Sequence, residues 1–281
     1  MIAYQGLSAH NVRMNLVING KPLAFDLPKP GSTETCFVFA PPKSGSTFLN
    51  NMIAELARKA LQPVVNIPSF MFTAGVTFPT ATMERATEFF TQQGYCFSGF
   101  RDFPPFLARP FDVTNFKRVF MVRDPRDMLV SNYYSIRNSH PIPKKGAVKN
   151  QMDDNRTKAN RLGVDDYVLG TVDYSRGVMD RLMKVYGTGS EEKLLFARYE
   201  DVVFAKFEFA TRIVQHFGWN VSEELIMSAS NTQNVFPEKE DQDNHIRKVT
   251  PGDFRDKLKP ETIIKLNEDF RAYLEIWGYL V

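Results

Sequence analysis

The chain has 281 residues, 43% of them hydrophobic and 24% charged, as is typical of a globular protein with a sizeable core. Its net charge of only +3 argues against a nucleic-acid partner, which would favour a strongly basic face. No apolar run of about 18 residues occurs, so we expect no transmembrane segment. No basic flank precedes an apolar core near the N-terminus, so we expect no signal peptide and predict a cytoplasmic location.

The two cysteines, Cys36 and Cys96, both lie in apolar, strand-like sequence. This context predicts two buried thiols that pack as small hydrophobic side chains. A disulfide framework is not indicated, and a reducing compartment is therefore expected.

The first predicted element is a β-hairpin. Met14–Ile18 and Lys21–Phe25 flank an Asn-Gly dipeptide, which is typical of two-residue hairpin turns. We interpret residues 1–34 as an N-terminal extension that contains this hairpin, and residues 35–281 as the main domain.

Short apolar runs and helical patterns alternate along the rest of the chain. The predicted strands are Phe37–Ala40, Tyr95–Phe100, Arg118–Val122 and Lys193–Ala197, and the predicted helices cover 48–61, 83–93, 128–136, 165–186, 205–217, 222–230 and 261–276. Such alternation predicts an α/β fold with a central, mostly parallel sheet flanked by helices.

Two long stretches lack a clear periodic pattern. Residues 62–80 contain prolines among apolar residues, and they either line an apolar pocket or pack as an ordinary loop. Residues 138–164 are polar and basic with few apolar side chains, a composition typical of a mobile loop or lid.

The most informative segment runs from Phe37 to Leu49. An apolar strand ends at two prolines, and Lys-Ser-Gly-Ser-Thr follows before a helical pattern begins. Such a turn offers backbone N–H groups, hydroxyls and one ammonium at a helix N-terminus, which together suit phosphate or sulfate. A turn that only caps the helix is the alternative interpretation.

This turn differs from the common nucleotide-binding loop. That loop needs Gly-x4-Gly-Lys-Ser/Thr, whereas Lys43 here precedes Gly45 by two residues. A site for a nucleoside triphosphate with Mg²⁺ would lack its usual lysine. We therefore expect a P-loop-like turn that binds a phosphate without a metal.

A second polar segment follows the strand that ends at Val122. Arg123 stands at the carboxyl end of that strand, where ligands bind in open α/β sheets, and Ser131 comes eight residues later in a helix. If the loop folds back, the guanidinium and the hydroxyl can share one phosphate. Alternatively, the charges of residues 123–127 form only an ion-paired loop.

These segments together resemble the sulfotransferases that use 3′-phosphoadenosine 5′-phosphosulfate (PAPS), especially the cytosolic branch. Pro42–Phe48 is similar to the family's Pro-Lys-Ser-Gly-Thr-Thr-Trp loop, and Arg123 and Ser131 match its second motif. Residues 247–254 have the spacing of its Arg-Lys-Gly-x-x-Gly-Asp-Trp motif, and residues 199–201 match its Tyr-Glu-Asp. The resemblance covers roughly residues 35–280.

The resemblance implies which residues bind the donor. They are Lys43, Ser44, Gly45, Ser46, Thr47, Phe48, Arg123, Ser131, Tyr199, Arg247 and Lys248. Lys43 would stabilise charge on the bridging oxygen, residues 44–48 would hold the 5′-phosphate, and the 3′-phosphate would be bound by Arg123, Ser131, Arg247 and Lys248. Phe48 would stack on the adenine, where the family has Trp, and Tyr199 would border the base.

The general base is less clearly indicated. Cytosolic members place a His in a Lys-Thr-His-x-Pro segment, whereas the corresponding stretch here reads Phe-Arg-Asp-Phe-Pro over residues 100–104. Asp102 is the nearest proton acceptor, and other branches of the family use a carboxylate. Burial that raises the pKa of Asp102 would make it a plausible base. An Arg101–Asp102 ion pair is the alternative interpretation.

The function implied is transfer of a sulfuryl group from PAPS to a hydroxyl of a small or lipid-like acceptor, with 3′-phosphoadenosine 5′-phosphate (PAP) as product and no metal. A small-molecule kinase and a non-catalytic nucleotide-binding module are the alternatives. The family's short dimerisation motif is not matched between Arg255 and Glu268, so the oligomeric state is left open.

Overall fold

The structure is a computed structural model that describes residues 12–76, 81–107, 111–139, 147–186, 191–233 and 249–279. Its first element is the predicted hairpin, in which β1 (Val12–Ile18) and β2 (Lys21–Leu27) pair antiparallel. Asn19 and Gly20 have φ angles of 51° and 72°, as a tight turn between two such strands requires. The buried apolar side chains of the hairpin belong to the main hydrophobic core.

A five-stranded parallel sheet forms the centre of the described structure. Its strands are β3 (Cys36–Phe39), β4 (Val64–Val65), β5 (Cys96–Phe100), β6 (Lys117–Val122) and β7 (Leu194–Arg198). They lie in the order β4-β5-β3-β6-β7, and each neighbouring pair is parallel. The predicted α/β fold with a central parallel sheet is therefore confirmed, with β3 in the middle.

Helices cover both faces of the sheet because its inner strands are apolar on both sides. Phe37 and Phe39 of β3 belong to one hydrophobic cluster, whereas Val38 belongs to the other. The first cluster is strongly aromatic, and the ring centroids of Phe37 and Phe97 lie 5.3 Å apart. Ring contacts of this kind stabilise a core beyond the apolar area that they bury.

The described residues contain thirteen α-helices. They are α1 (Ser46–Lys59), α2 (Ile67–Thr73), α3 (Ala86–Phe90), α4 (Pro125–Tyr134), α5 (Ala147–Arg161), α6 (Val164–Leu169), α7 (Val172–Leu182), α8 (Tyr199–Val202), α9 (Lys206–Phe217), α10 (Glu223–Asn231), α11 (Phe254–Lys257), α12 (Pro260–Asp269) and α13 (Arg271–Ile276). Because α1, α4 and α8 each follow a strand of the parallel sheet, their N-termini lie at its carboxyl edge.

The two stretches without a clear periodic pattern contain more structure than predicted. Much of residues 138–164 is the helix α5 rather than a loop, because Ala159 is fully buried and Lys149 pairs with Asp153 one turn later. Residues 62–80 include α2, whose Ile67 and Met71 are fully buried in the core. Their burial supports ordinary packing for residues 62–76, and residues 77–80 lie outside the described residues. The helix predicted over 83–93 is shorter, and only α3 forms there.

Both cysteines are buried free thiols, and they are paired in register on the neighbouring strands β3 and β5. Burial raises the pKa of Cys36, so its thiol is held in the protonated form. Among the described residues, no helix is both long and apolar enough to cross a bilayer.

Predicted site residues from four segments lie at the carboxyl edge of the sheet. Lys43 follows β3, Asp102 follows β5, Arg123 follows β6 and Tyr199 follows β7. Since parallel strands end at the same edge, four segments that are far apart in the sequence meet there.

Candidate active site

The turn between β3 and α1 has the backbone geometry of an anion cradle. Lys43 and Gly45 have φ angles of 65° and 82°, left-handed values that bend the chain sharply. The buried Ser44 hydroxyl donates to the carbonyl oxygen of Pro41 at 2.7 Å. No side chain caps α1, so the first N–H groups of this helix face the turn without an intrahelical partner. This finding does not support the alternative that the turn only caps the helix.

Gly45 packs directly against the ring of Tyr199. A Cβ atom added to Gly45 would lie 2.6 Å from Cδ2 of Tyr199, so only glycine combines this φ angle with this close approach. The Tyr199 hydroxyl donates to the carbonyl oxygen of Val249 at 3.1 Å. Burial raises the pKa of Tyr199, which keeps the hydroxyl protonated as a donor.

Arg123 reaches the same turn from the end of β6. Its Nη1 donates to the carbonyl oxygen of Lys43 at 3.4 Å, and its Nη2 lies 3.2 Å from Oδ2 of Asp127. The guanidinium carbon lies 4.8 Å from the ring centroid of Tyr199. The Nε atom of Arg123 is buried and has no hydrogen-bond partner. An unsatisfied buried donor costs about 1–3 kcal/mol, and an anionic ligand would satisfy it.

The carboxylate of Asp127 connects Arg123 to the third motif. Its side chain is 0% exposed, and it accepts the backbone N–H groups of Gly252 at 2.7 Å and Phe254 at 2.9 Å. Residues 252–254 are thereby held against α4. Arg247 and Lys248 lie outside the described residues, but the next residue, Val249, is bound by Tyr199 at the site.

A second ion pair stabilises the loop that presents Arg123. The guanidinium of Arg126 donates to both oxygens of Asp124, at 2.9 and 2.7 Å, and lies 4.3 Å from the ring centroid of Phe254. Glu200 accepts the backbone N–H of Asp124 at 3.0 Å and the hydroxyl of Tyr279 at 2.6 Å. Residues 123–127 therefore do form the ion-paired loop considered above, and the same loop places Arg123 at the turn.

The remaining predicted donor residues flank this centre. Ser46 is buried and Thr47 is exposed at the start of α1. Ser131 is partly buried and lies one turn after Asp127, on the same face of α4. The partly buried Phe48 has the Nζ of Lys206 at 5.9 Å from its ring centroid.

Asp102 lies at the same edge of the sheet and is buried. Nε and Nη2 of Arg181 donate to its two oxygens at 2.8 and 2.7 Å, and the backbone N–H of Phe103 donates to Oδ1 at 2.7 Å. The partner of Asp102 is thus Arg181 of α7. To accept a proton, Asp102 would have to share its oxygens with this guanidinium.

Sequence reasoning missed three contributors to this site. From the sequence, Asp127 is expected only as part of an ion-paired loop, although its spacing of four residues from Arg123 is compatible with the observed pair. Arg181 and Lys206 lie on helices and match no motif, so only their contacts reveal them. The described residues contain no group of three or more His, Cys, Asp or Glu suited to a metal ion.

The parallel sheet and the sharp turn after its central strand define a P-loop-like α/β protein. The family model for the sulfotransferase domain matches residues 103–278, which is more than half of the chain. The protein therefore belongs to the sulfotransferase family, and the predicted family and class of enzyme are confirmed. No curated protein matches the sequence.

Two solved structures resemble the chain along most of its length. Mouse sulfotransferase SULT7A1, complexed with PAP, is 15% identical with a TM-score of 0.53, over 87% of this chain and 86% of that one. Retinol dehydratase in complex with androsterone and the inactive cofactor PAP is 17% identical with a TM-score of 0.54, over 85% and 80%. At such identities the likeness establishes the fold.

Proposed function

We propose that this sulfotransferase uses PAPS as its sulfuryl donor and a hydroxyl of a small or lipid-like molecule as its acceptor, in the cytoplasm. The donor has two separated anionic ends, a 5′-phosphosulfate and a 3′-phosphate. The solved structures named above contain PAP, which supports this class of nucleotide.

The observation that supports the proposal most is the buried, unpartnered Nε of Arg123 beside the turn at Lys43. A guanidinium donor and a row of helix N-terminal N–H groups thus lie side by side, and each favours an anion. In this proposal residues 43–48 hold the 5′ end of the donor. The 3′-phosphate is bound by Arg123 and Ser131, with Arg247 and Lys248 from the adjoining segment.

The residues of this chain would act mainly through position and charge. As the acceptor oxygen bonds to sulfur, the bond from sulfur to the bridging oxygen breaks and leaves its electron pair on the 5′-phosphate. Lys43 would stabilise that developing charge. Phe48 would stack on the adenine, and Tyr199 would border it.

Asp102 is proposed as the group that takes the proton of the acceptor hydroxyl. Its support is its place at the carboxyl end of β5, beside the strand that leads into the turn. The ion pair with Arg181 would orient the carboxylate, and it would have to loosen as the proton arrives.

Calorimetric titration with PAP tests the proposed donor. Wild-type protein should bind PAP without Mg²⁺, and ligand at a hundred times its dissociation constant should add about 2.7 kcal/mol to the free energy of unfolding. Arg123→Lys keeps the charge but loses the Nε donor, so PAP should bind at least about tenfold more weakly. Arg85→Lys, at an exposed ion pair with Glu88, is the matched control and should bind as wild type does.

The alternatives predict different results. A small-molecule kinase would bind ATP with Mg²⁺ in preference to PAP, and EDTA would abolish its activity. A non-catalytic module would bind PAP but would transfer no sulfuryl group from PAPS to any of a panel of phenols, sterols and aliphatic alcohols. Failure of the wild-type protein to bind PAP would refute the proposed donor.

A further inference from the structure

Lys206 is a buried lysine next to the proposed base-binding ring. It is the first residue of α9 and is only 6% exposed. Its Nζ lies 5.9 Å from the ring centroid of Phe48 and donates to the carbonyl oxygen of Gln233 at 2.9 Å. The ammonium therefore joins two segments that are far apart in the sequence.

This location is unfavourable for a lysine on two counts. Burial removes the ammonium from water, and it lowers the pKa of Lys206. The N-terminus of a helix also carries a partial positive charge, which repels a cation. Both effects oppose a cation at this position, and the Phe48 ring and the Gln233 carbonyl are two of the groups that offset them.

One of the two groups that Lys206 joins belongs to the proposed donor site. Phe48 belongs to the first turn of α1, directly after the anion cradle. Gln233 is the last described residue before the segment that contains Arg247 and Lys248. An ammonium that contacts both can fix the ring relative to the chain that follows α10.

We propose that Lys206 is a positioning residue for the nucleobase, an inference that rests on the proposed function. By contacting the Phe48 ring and the Gln233 carbonyl, Lys206 holds the stacking surface in place before the donor binds. A ring that is already ordered loses less conformational freedom on binding, so the base gains more affinity from stacking. The phosphate groups are bound elsewhere and gain nothing from this ordering.

The test compares a ligand with the base and one without it. The ligand with the base is PAP, which is adenosine 3′,5′-bisphosphate, and the ligand without it is the abasic tetrahydrofuran 3′,5′-bisphosphate. Each is titrated into wild-type protein and into Lys206→Met. We expect the variant to bind the adenosine compound about tenfold more weakly, whereas affinity for the abasic compound changes less than about twofold. An equal loss for both ligands would mean that Lys206 acts through its charge on the phosphates, and it would overturn the proposal, as would no loss for either.

Lys193→Met is the matched control. Lys193 also donates to a backbone carbonyl at 2.9 Å, that of Asn115, but it precedes β7 at the opposite end of the strand. Lys193→Met should change the affinity for neither bisphosphate. If Lys206→Met does not fold, Lys206→Gln replaces it, because glutamine keeps a donor for the Gln233 carbonyl. Lys206→Gln should lose part of the preference for PAP over the abasic compound. A preference equal to that of wild type would refute the role.

The outcomes separate this inference from the proposed function. If wild-type protein binds neither bisphosphate, the proposed function and this inference both fail. If wild-type protein prefers the adenosine compound and Lys206→Met keeps the full preference, only the role of Lys206 is refuted.

Discussion

The carboxylate of Asp127 accepts the backbone N–H of Gly252 at 2.7 Å, across 125 residues of sequence. The same oxygen lies 3.2 Å from Nη2 of Arg123. One buried carboxylate therefore places a guanidinium from the second motif next to the backbone of the third. Donor binding and the packing of residues 252–254 should consequently depend on each other.

Asp127→Ala should destabilise the fold and weaken PAP binding together. Removing one partner of a buried ion pair leaves an uncompensated charge and costs about 3–5 kcal/mol. Urea unfolding gives the loss of stability, and calorimetry gives the affinity. Asp201→Ala removes the partner of Arg198 in a more exposed pair and should cost no more than about 1 kcal/mol. Equally small losses of stability in Asp127→Ala and Asp201→Ala would contradict this role of Asp127.

Gly45→Ala should cost more stability than Gly20→Ala. Both glycines have positive φ, 82° and 72°, so both variants acquire backbone strain of about 1–2 kcal/mol. An added Cβ meets Tyr199 at 2.6 Å in the first case and nothing within 4 Å in the second. Of the two variants, only Gly45→Ala should weaken PAP binding, which calorimetry measures. Similar unfolding free energies for the two variants would show that the contact with Tyr199 relaxes freely.

Lys43→Ala should lower the rate of sulfuryl transfer at least about a hundredfold while the fold survives, because one preorganised donor is worth roughly 3–4 kcal/mol in the transition state. Initial rates with saturating PAPS measure the effect, and urea unfolding checks the fold. Lys59→Ala, at the far end of α1 beside Glu55, is the control and should leave the rate unchanged. Near-normal turnover of Lys43→Ala would exclude the role of Lys43.

Asp102→Asn should reduce turnover by about 10²- to 10⁴-fold if Asp102 is the base, with little change in PAP affinity. Arg181→Met breaks the same ion pair but leaves the carboxylate in place. It should retain far more activity than Asp102→Asn, even though both variants lose stability. Equal rates for the two variants would instead assign Asp102 a purely structural role.

Glu200 should make stability depend on pH. Partial burial raises the pKa of Glu200 above its ordinary value of 4.5. Between the two pKa values, the native state keeps a proton that the unfolded chain has released. Stability is therefore fully present below the unfolded pKa and is lost as the pH rises through the native pKa, by up to about 1.4 kcal/mol for each pH unit between them.

Urea unfolding of wild type and Glu200→Gln at about pH 4 and about pH 7 tests this sign. Glu200→Gln should gain stability relative to wild type as the pH rises. The exposed Glu88→Gln is the control, since Glu88 is 57% exposed in its pair with Arg85. A relative loss for Glu200→Gln at the higher pH would mean that the hydrogen bonds from Asp124 and Tyr279 outweigh the burial.

Local patterns predicted the main secondary elements because they depend on neighbours in the sequence. The Asn-Gly dipeptide correctly predicted the hairpin turn, and the continuous apolar runs correctly predicted four of the five strands of the sheet. The two-residue strand β4 was missed because it is too short to show a pattern. Helix α5 was also missed, since its few apolar side chains give a weak periodic signal.

The sequence by itself determined the kind of chemistry here. Five consecutive residues after a buried strand, Lys-Ser-Gly-Ser-Thr, carry backbone N–H groups, hydroxyls and an ammonium, and the family motifs are recognisable from the sequence alone. Only the tertiary structure decided which distant groups complete the site. Asp127 with Gly252, Asp102 with Arg181, and Lys206 with Phe48 are pairs of residues at least 79 positions apart. Local sequence patterns cannot predict these pairs, because such contacts depend on how the strands are ordered in the sheet and how the helices pack on it.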